Sequence, residues 1–131
     1  MTIHHIGIWV QDLEAAKHFY KHYFGMISNE RYESKRQPLK TYFLSAADGL
    51  GAKIELMERH DVAANQSEER GFTYGLAHLA ISVGSELQVD TITNRLRDDG
   101  FTVISEPRTT GDGFYESIVA DLEGNWLEIT V

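Results

Sequence analysis

From His5 the chain alternates as an extended strand does: Ile6, Ile8 and Val10 point to one side, and His5, Gly7 and Trp9 to the other. After Asp12 the period changes. Leu13, Ala16, Tyr20 and Tyr23 recur at helical spacing, joined by Phe19 and Phe24. Asp12 is the predicted N-cap and Gly25 the stop. Three strand-like runs follow, ISNERYE, KTYFLSA and AKIELM. The same order then returns. HLAISV, led by His78, alternates; Ser85 and Gln88 have capping-box spacing; Val89, Ile92 and Leu96 form one apolar stripe; Gly100 ends it. The runs FTVISE, FYESIVA and NWLEIT complete the chain. Each half reads βαβββ. The pattern predicts one α+β domain of two pseudo-symmetric βαβββ modules, residues 1–58 and 74–131. The polar stretch RHDVAANQSEERGFT, which carries Gly71, is the predicted linker over about 59–73.

The halves repeat in register as well as in order. His5 and His78 are 78 − 5 = 73 residues apart, and so are Asp48 and Asp121, Gly51 and Gly124, and Glu55 and Glu128 (128 − 55 = 73). Both closing segments, DGLGAKIELM and DLEGNWLEIT, read D-x-x-G-x-x-[IL]-E-[LI]. Asp and Gly ahead of an alternating run predict a hairpin turn feeding a strand. Each half therefore opens with a His-led strand and closes with a Glu-bearing one. Two copies point to a pseudo-symmetric domain rather than a solenoid.

Composition narrows the chemistry. The chain has 131 residues, 42% of them apolar, enough for a core. A formal net charge of −8 repels phosphate backbones, so no nucleic-acid partner is expected. No apolar run approaches the roughly 20 residues of a membrane span, and the first residues lack a signal peptide's features. No membrane partner and a cytoplasmic location are expected. Cysteine is absent, which excludes disulfides, thiolate nucleophiles and Cys-type zinc sites.

Alternation places the candidate chemistry. Gly7 and Trp9 share the face of His5, and Ala80 and Ser82 share that of His78. Glu55 and Glu128 lie opposite branched apolar neighbours: Ile54 and Leu56 for the first, Leu127 and Ile129 for the second. Four strands thus have one apolar face for packing and one face carrying an ionisable group, as sheets curved around a pocket would. The small residues beside the histidines are expected to leave room there. Two imidazoles and two carboxylates form an N2O2 ligand set suited to a divalent metal ion, Ni, Co, Zn or Mn. His18 and His22 stand four apart with no Glu between them and read as a solvated helix face. His4 is expected to turn away from His5 and pack near the helix. Arg108 and Glu116, within PRTTGDGFYES, are candidate contacts for a polar or anionic substrate, and Trp9 for an apolar one. Glu68, Glu69, Asp98 and Asp99 read as solubility features.

These residues resemble the vicinal oxygen chelate superfamily, its glyoxalase I-like group, over essentially the whole chain. The resemblance rests on H-x-x-x-x-V-x-D-L-x-x-A-x-x-F-Y from His5, on Ile54-Glu55-Leu56, on HLAISV from His78 and on DLEGNWLEI from Asp121. EPRTTGDGFYES is similar to small bacterial members. The resemblance implies paired βαβββ modules, curved mixed sheets enclosing a metal pocket, frequent homodimers, and ligands at His5, Glu55, His78 and Glu128. Their order is similar to that of bacterial glyoxalase I, which often prefers nickel or cobalt. Methylmalonyl-CoA epimerases usually have Gln where Glu55 stands. Two departures argue against glutathione as the thiol: Trp9 and Arg59 stand where glutathione-using bacterial enzymes commonly carry Arg and Asn.

The implied activity is that of a lactoylglutathione lyase-like metalloenzyme. It would move a proton beside a metal-chelated carbonyl or hydroxyl of a small-molecule substrate, a 2-oxoaldehyde–thiol adduct or its kin. Glu128 is the first candidate base and Glu55 the second. The alternatives are another enzyme of the superfamily, such as an epimerase, and a metal-free protein that sequesters a drug-like ligand, as bleomycin resistance proteins do.

Overall fold

The computed structural model describes residues 1–64 and 70–131. Glu68 and Glu69, and the middle of the predicted linker, lie outside the described residues. The chain divides into two compact units, Met1–Ala64 and Asn65–Val131.

In the first unit, β1 (His5–Trp9) leads into α1 (Leu13–Phe24), followed by β2 (Ile27–Ser28), β3 (Tyr32–Glu33), β4 (Lys40–Ser45) and β5 (Lys53–Glu58). The run ISNERYE therefore forms two short strands rather than one. Both pair antiparallel with β4. The sheet order is β1-β5-β4-β2, with β1 and β5 parallel and β4 antiparallel to β5. Asp12 caps α1 as its residue type requires: its Oδ1 accepts a hydrogen bond from the Ala15 N–H at 2.9 Å. Gly25 closes the helix in the left-handed region, at φ 63. Leu13, Ala16, Phe19, Tyr20 and Tyr23 are buried along one face of α1. Leu44, Ile54 and Leu56 are buried from the sheet. His18 and His22 stack on the exposed side of the helix, as expected of a solvated face.

The second unit repeats the plan: β6 (Leu79–Ser82), α2 (Glu86–Asp98), β7 (Val103–Thr109), β8 (Tyr115–Ala120) and β9 (Trp126–Thr130). The order is β6-β9-β8-β7, with β6 and β9 parallel and the rest antiparallel. The strand begins one residue after His78, not at it. Ser85 caps α2 by accepting from the Gln88 N–H at 3.3 Å. Val89, Ile92, Leu96, Val119, Leu127 and Ile129 form the apolar core. Two fully buried hydroxyls cross it. Thr93 donates to the Val89 carbonyl at 2.6 Å, which leaves Ser117 to donate to Thr93 at 2.6 Å. Satisfied in this way, the pair avoids the cost of a buried unpaired hydroxyl.

The fold class is that read from the sequence, α+β with two βαβββ units and mixed sheets. The repeated turn is built twice with the same chemistry. Asp48 Oδ1 accepts from the Leu50 N–H and Asp121 Oδ1 from the Glu123 N–H, each at 2.9 Å. Gly51 and Gly124 both have φ 77, a conformation that costs any residue with a Cβ. Among the described residues, no helix is long and apolar enough to cross a membrane.

Candidate functional site

Parallel pairing places each histidine beside its glutamate. In the first unit Gly7 lies opposite Glu55; in the second Ala80 lies opposite Glu128. In both, the histidine sits two residues before that position, so its ring reaches the carboxylate along a diagonal on the same face. His5 Nε2 is 3.3 Å from Glu55 Oε2, and His78 Nε2 is 3.3 Å from Glu128 Oε2. The imidazoles are 39% and 41% exposed and the carboxylates 19% and 17%, so the two pairs match in exposure as well as distance. Buried Ile54, Leu56, Leu127 and Ile129 flank the glutamates from the opposite face and fix their direction.

Donors roughly 2.0–2.2 Å from an ion, at angles between octahedral and tetrahedral, stand about 2.8–3.6 Å apart. Each pair has that span, and imidazole with carboxylate suits a borderline divalent ion. The residues fit such an ion. Among the described residues, no group of three or more His, Cys, Asp or Glu stands together as a metal site; the structure brings together one pair in each unit.

The surroundings of the two pairs differ. His5 packs edge-on to Phe43, ring centroids 5.4 Å apart, and Phe43 lies opposite Glu55 on β4. Ile118 takes that position opposite Glu128. His4 does not pack near the helix. It is exposed, and its Nδ1 is 2.8 Å from Nδ1 of His5. It precedes β1, so strand alternation does not bind it. Nor is the space beside Gly7 open: a Cβ there would meet the Met57 methyl at 2.8 Å. Met57 shares the face of Glu55 on β5, and the alternation of β1 alone gives no sign of it.

Trp9 lies on the face of His5 and is 43% exposed. Arg108 lies in a strand, β7, rather than in a loop, and faces Glu116 of β8, whose run FYESIVA reads as a strand in the sequence. β7 runs to Thr109 despite Pro107 because it is an edge strand with register shifts, where a missing N–H is tolerated. Glu116 is two residues from Ile118 and so shares the face of Glu128. Burial, then the Glu128 and Asp112 carboxylates, push its carboxyl above the ordinary range, with Arg108 opposing. Arg59 is tied to Asp61 by bonds of 2.8 and 2.6 Å. That pair holds the Asp61 carboxyl down at about 2. A cavity of about 240 Å³ in the first unit, bordered by Glu33, Lys40, Glu58, Arg59 and His60, contains none of the predicted site residues.

One feature beside the second pair was not legible in the sequence. Arg70–Phe72 forms a 3-10 turn in the predicted linker. Gly71 abuts Trp126 so closely that a Cβ would fall 2.0 Å from the ring, and Phe72 meets the same ring edge-on at 5.0 Å. Trp126 shares the face of Glu128 on β9. The signal available was the glycine in a polar stretch, and it carried no partner.

The family model described as Glyoxalase/Bleomycin resistance protein/Dioxygenase superfamily matches residues 2–129. The uncharacterized protein YqjT of Bacillus subtilis is 28% identical over 126 residues, spanning 91% of this chain and 90% of that protein. The crystal structure of a glyoxylase/bleomycin resistance protein/dioxygenase domain from Frankia sp. EAN1pec superposes with a TM-score of 0.81 at 18% identity, covering 100% of this chain and 97% of that one. The trypanothione-dependent glyoxalase I of Leishmania major superposes with a TM-score of 0.77 at 21% identity, covering 99% and 86%. At such identities these structures establish the fold and not the reaction.

Proposed function

This chain belongs to the Glyoxalase/Bleomycin resistance protein/Dioxygenase superfamily, and from that premise we propose that it is a metal-dependent glyoxalase-like lyase or isomerase. The observation that carries the reading is the duplicated donor pair, His5 with Glu55 and His78 with Glu128, each spanning 3.3 Å. These four residues are the proposed ligands of one divalent ion, drawn from Ni, Co, Zn and Mn. Such an ion, when bound, supplies Lewis acidity to neighbouring oxygens of a substrate.

The protein's own groups do the rest. Glu128 is the proposed proton carrier, taking a proton from the carbon beside the substrate carbonyl and returning it to the adjacent carbon. Glu55 holds the equivalent position in the first unit and is the second candidate. Trp9, on the face of His5, offers an apolar surface to the substrate. Arg108 offers a cation to an anionic part, and Glu116 a carboxyl beside Glu128. With Trp9 in place of a carboxylate clamp, the preferred substrate is an adduct of a 2-oxoaldehyde with a thiol other than glutathione. A homodimer is the proposed assembly.

The test is turnover of methylglyoxal with a panel of thiols by protein loaded with Ni, Co, Zn or Mn in turn. Metal-dependent isomerisation of at least one adduct is expected. No turnover with any metal or thiol, from protein that binds no divalent ion, would contradict the reading and favour a ligand-sequestering role.

A further inference from the structure

The two half-sites share their donors but not what stands behind them. Both ring nitrogens of His5 have partners. Nε2 faces Glu55 Oε2 at 3.3 Å, and Nδ1 faces His4 Nδ1 at 2.8 Å. The His4 and His5 rings meet edge to face, centroids 5.1 Å apart. Shifted by 73 residues, His4 becomes Ala77 (4 + 73 = 77), which offers no ring nitrogen to His78. At this position the duplication supplies a ring nitrogen to one imidazole and none to the other.

We infer that His4 is a positioning residue for His5, holding the ring by its Nδ1 so that Nε2 is the nitrogen presented beside Glu55. A neutral imidazole has one N–H and one lone pair. When Nε2 offers its lone pair to a metal ion, the hydrogen resides on Nδ1, and Nδ1–H then donates to the His4 Nδ1 lone pair. A bond from the non-ligating nitrogen fixes both ring orientation and the position of the hydrogen, and losing such a partner costs about 10–100-fold in metal affinity. The inference rests on the metal reading above for its consequence, while the bond between the rings stands independently of any ion.

The test compares His4→Ala, His4→Phe and His4→Asn with the wild type. Phe keeps the ring contact and loses the nitrogen; Asn places an amide about where Nδ1 lies and is a poor ligand for a soft or borderline ion. Co2+ affinity, followed by its d–d absorption, should fall about 10-fold in His4→Ala and His4→Phe. It should return to within about 3-fold of the wild type in His4→Asn. In metal-free protein, imidazole 15N spectra should show the His5 Nδ1 resonance moved in His4→Ala, with the resonances of His78 unmoved as an internal control. Wild-type affinity in His4→Phe would overturn the inference, leaving only ring packing. Equal loss in His4→Asn and His4→Ala would also overturn it, pointing to His4 as a ligand. A wild type that binds no Co2+ overturns the metal reading and His4's role toward the ion. An unmoved Nδ1 resonance, in protein that does bind Co2+, overturns the inference alone.

Discussion

The Glu128 carboxylate holds Oε2 3.3 Å from Nε2 of His78, although 128 − 78 = 50 residues separate them in the chain. Strand β9 brings them together by running parallel to β6, with Ala80 rather than His78 directly opposite the glutamate. Glu128→Gln keeps the shape and one oxygen but removes the basic carboxylate. Turnover should fall by about 10²–10⁴-fold, while much of the metal affinity remains. Steady-state kinetics beside a metal titration reads both. A variant that retains wild-type turnover would move the proton-carrying role to Glu55.

Leu127 and Leu56 anchor the strands from the other face, each 0% exposed. Replacing either with Ala should cost about 2–5 kcal/mol, measured by urea denaturation of metal-free protein. Because neither touches the donor face, the folded fraction should keep its Co2+ affinity. A large loss of affinity at unchanged stability would show that the leucines act on the site directly.

Gly51 and Gly124 sit at φ 77 in the two copies of one turn. Gly51→Ala and Gly124→Ala place a Cβ in the left-handed region, with nothing within 4 Å to clash with it. The cost is therefore backbone strain alone, about 1–2 kcal/mol each. Thermal unfolding should show similar shifts for the two variants, as the duplication demands.

The Asp61 carboxyl, held at about 2 by Arg59, gives a pH prediction. Its folded value lies below the ordinary ~3.9. The pair's contribution is thus complete above about pH 4 and is lost as pH falls through about 2. In Arg59→Gln, the Asp61 carboxyl resonance should titrate near the ordinary value, which carbon-detected NMR would follow directly.

Much of this molecule was legible in the residue pattern. Asp12, Gly25 and Ser85 marked helix ends because few residue types satisfy free N–H groups or adopt positive φ. The Asp-x-x-Gly turn exposed the duplication for the same reason, and alternation told which strands carry His5, Glu55, His78 and Glu128. What lay across the sheet was not legible, because it depends on register. The offset of 73 holds for β1 with β6 and for β5 with β9. Yet Phe43 faces Glu55 while Ile118 faces Glu128, an offset of 118 − 43 = 75. The loop before β5 spans residues 46–52 and that before β9 only residues 121–125, which absorbs the two-residue difference. Met57 over Gly7 and Glu116 beside Glu128 are cross-strand neighbours of this kind. His4 escaped because it stands just outside the strand whose alternation would have placed it.

The most direct test of the central claim is the stoichiometry of Co2+ or Ni2+ binding by isothermal titration, for wild-type protein and for His5→Ala, Glu55→Ala, His78→Ala and Glu128→Ala. Four donors on one ion predict one tight site per chain, with each of the four variants losing affinity. Two independent weak sites per chain, or tight binding that survives any of the four substitutions unchanged, would contradict it.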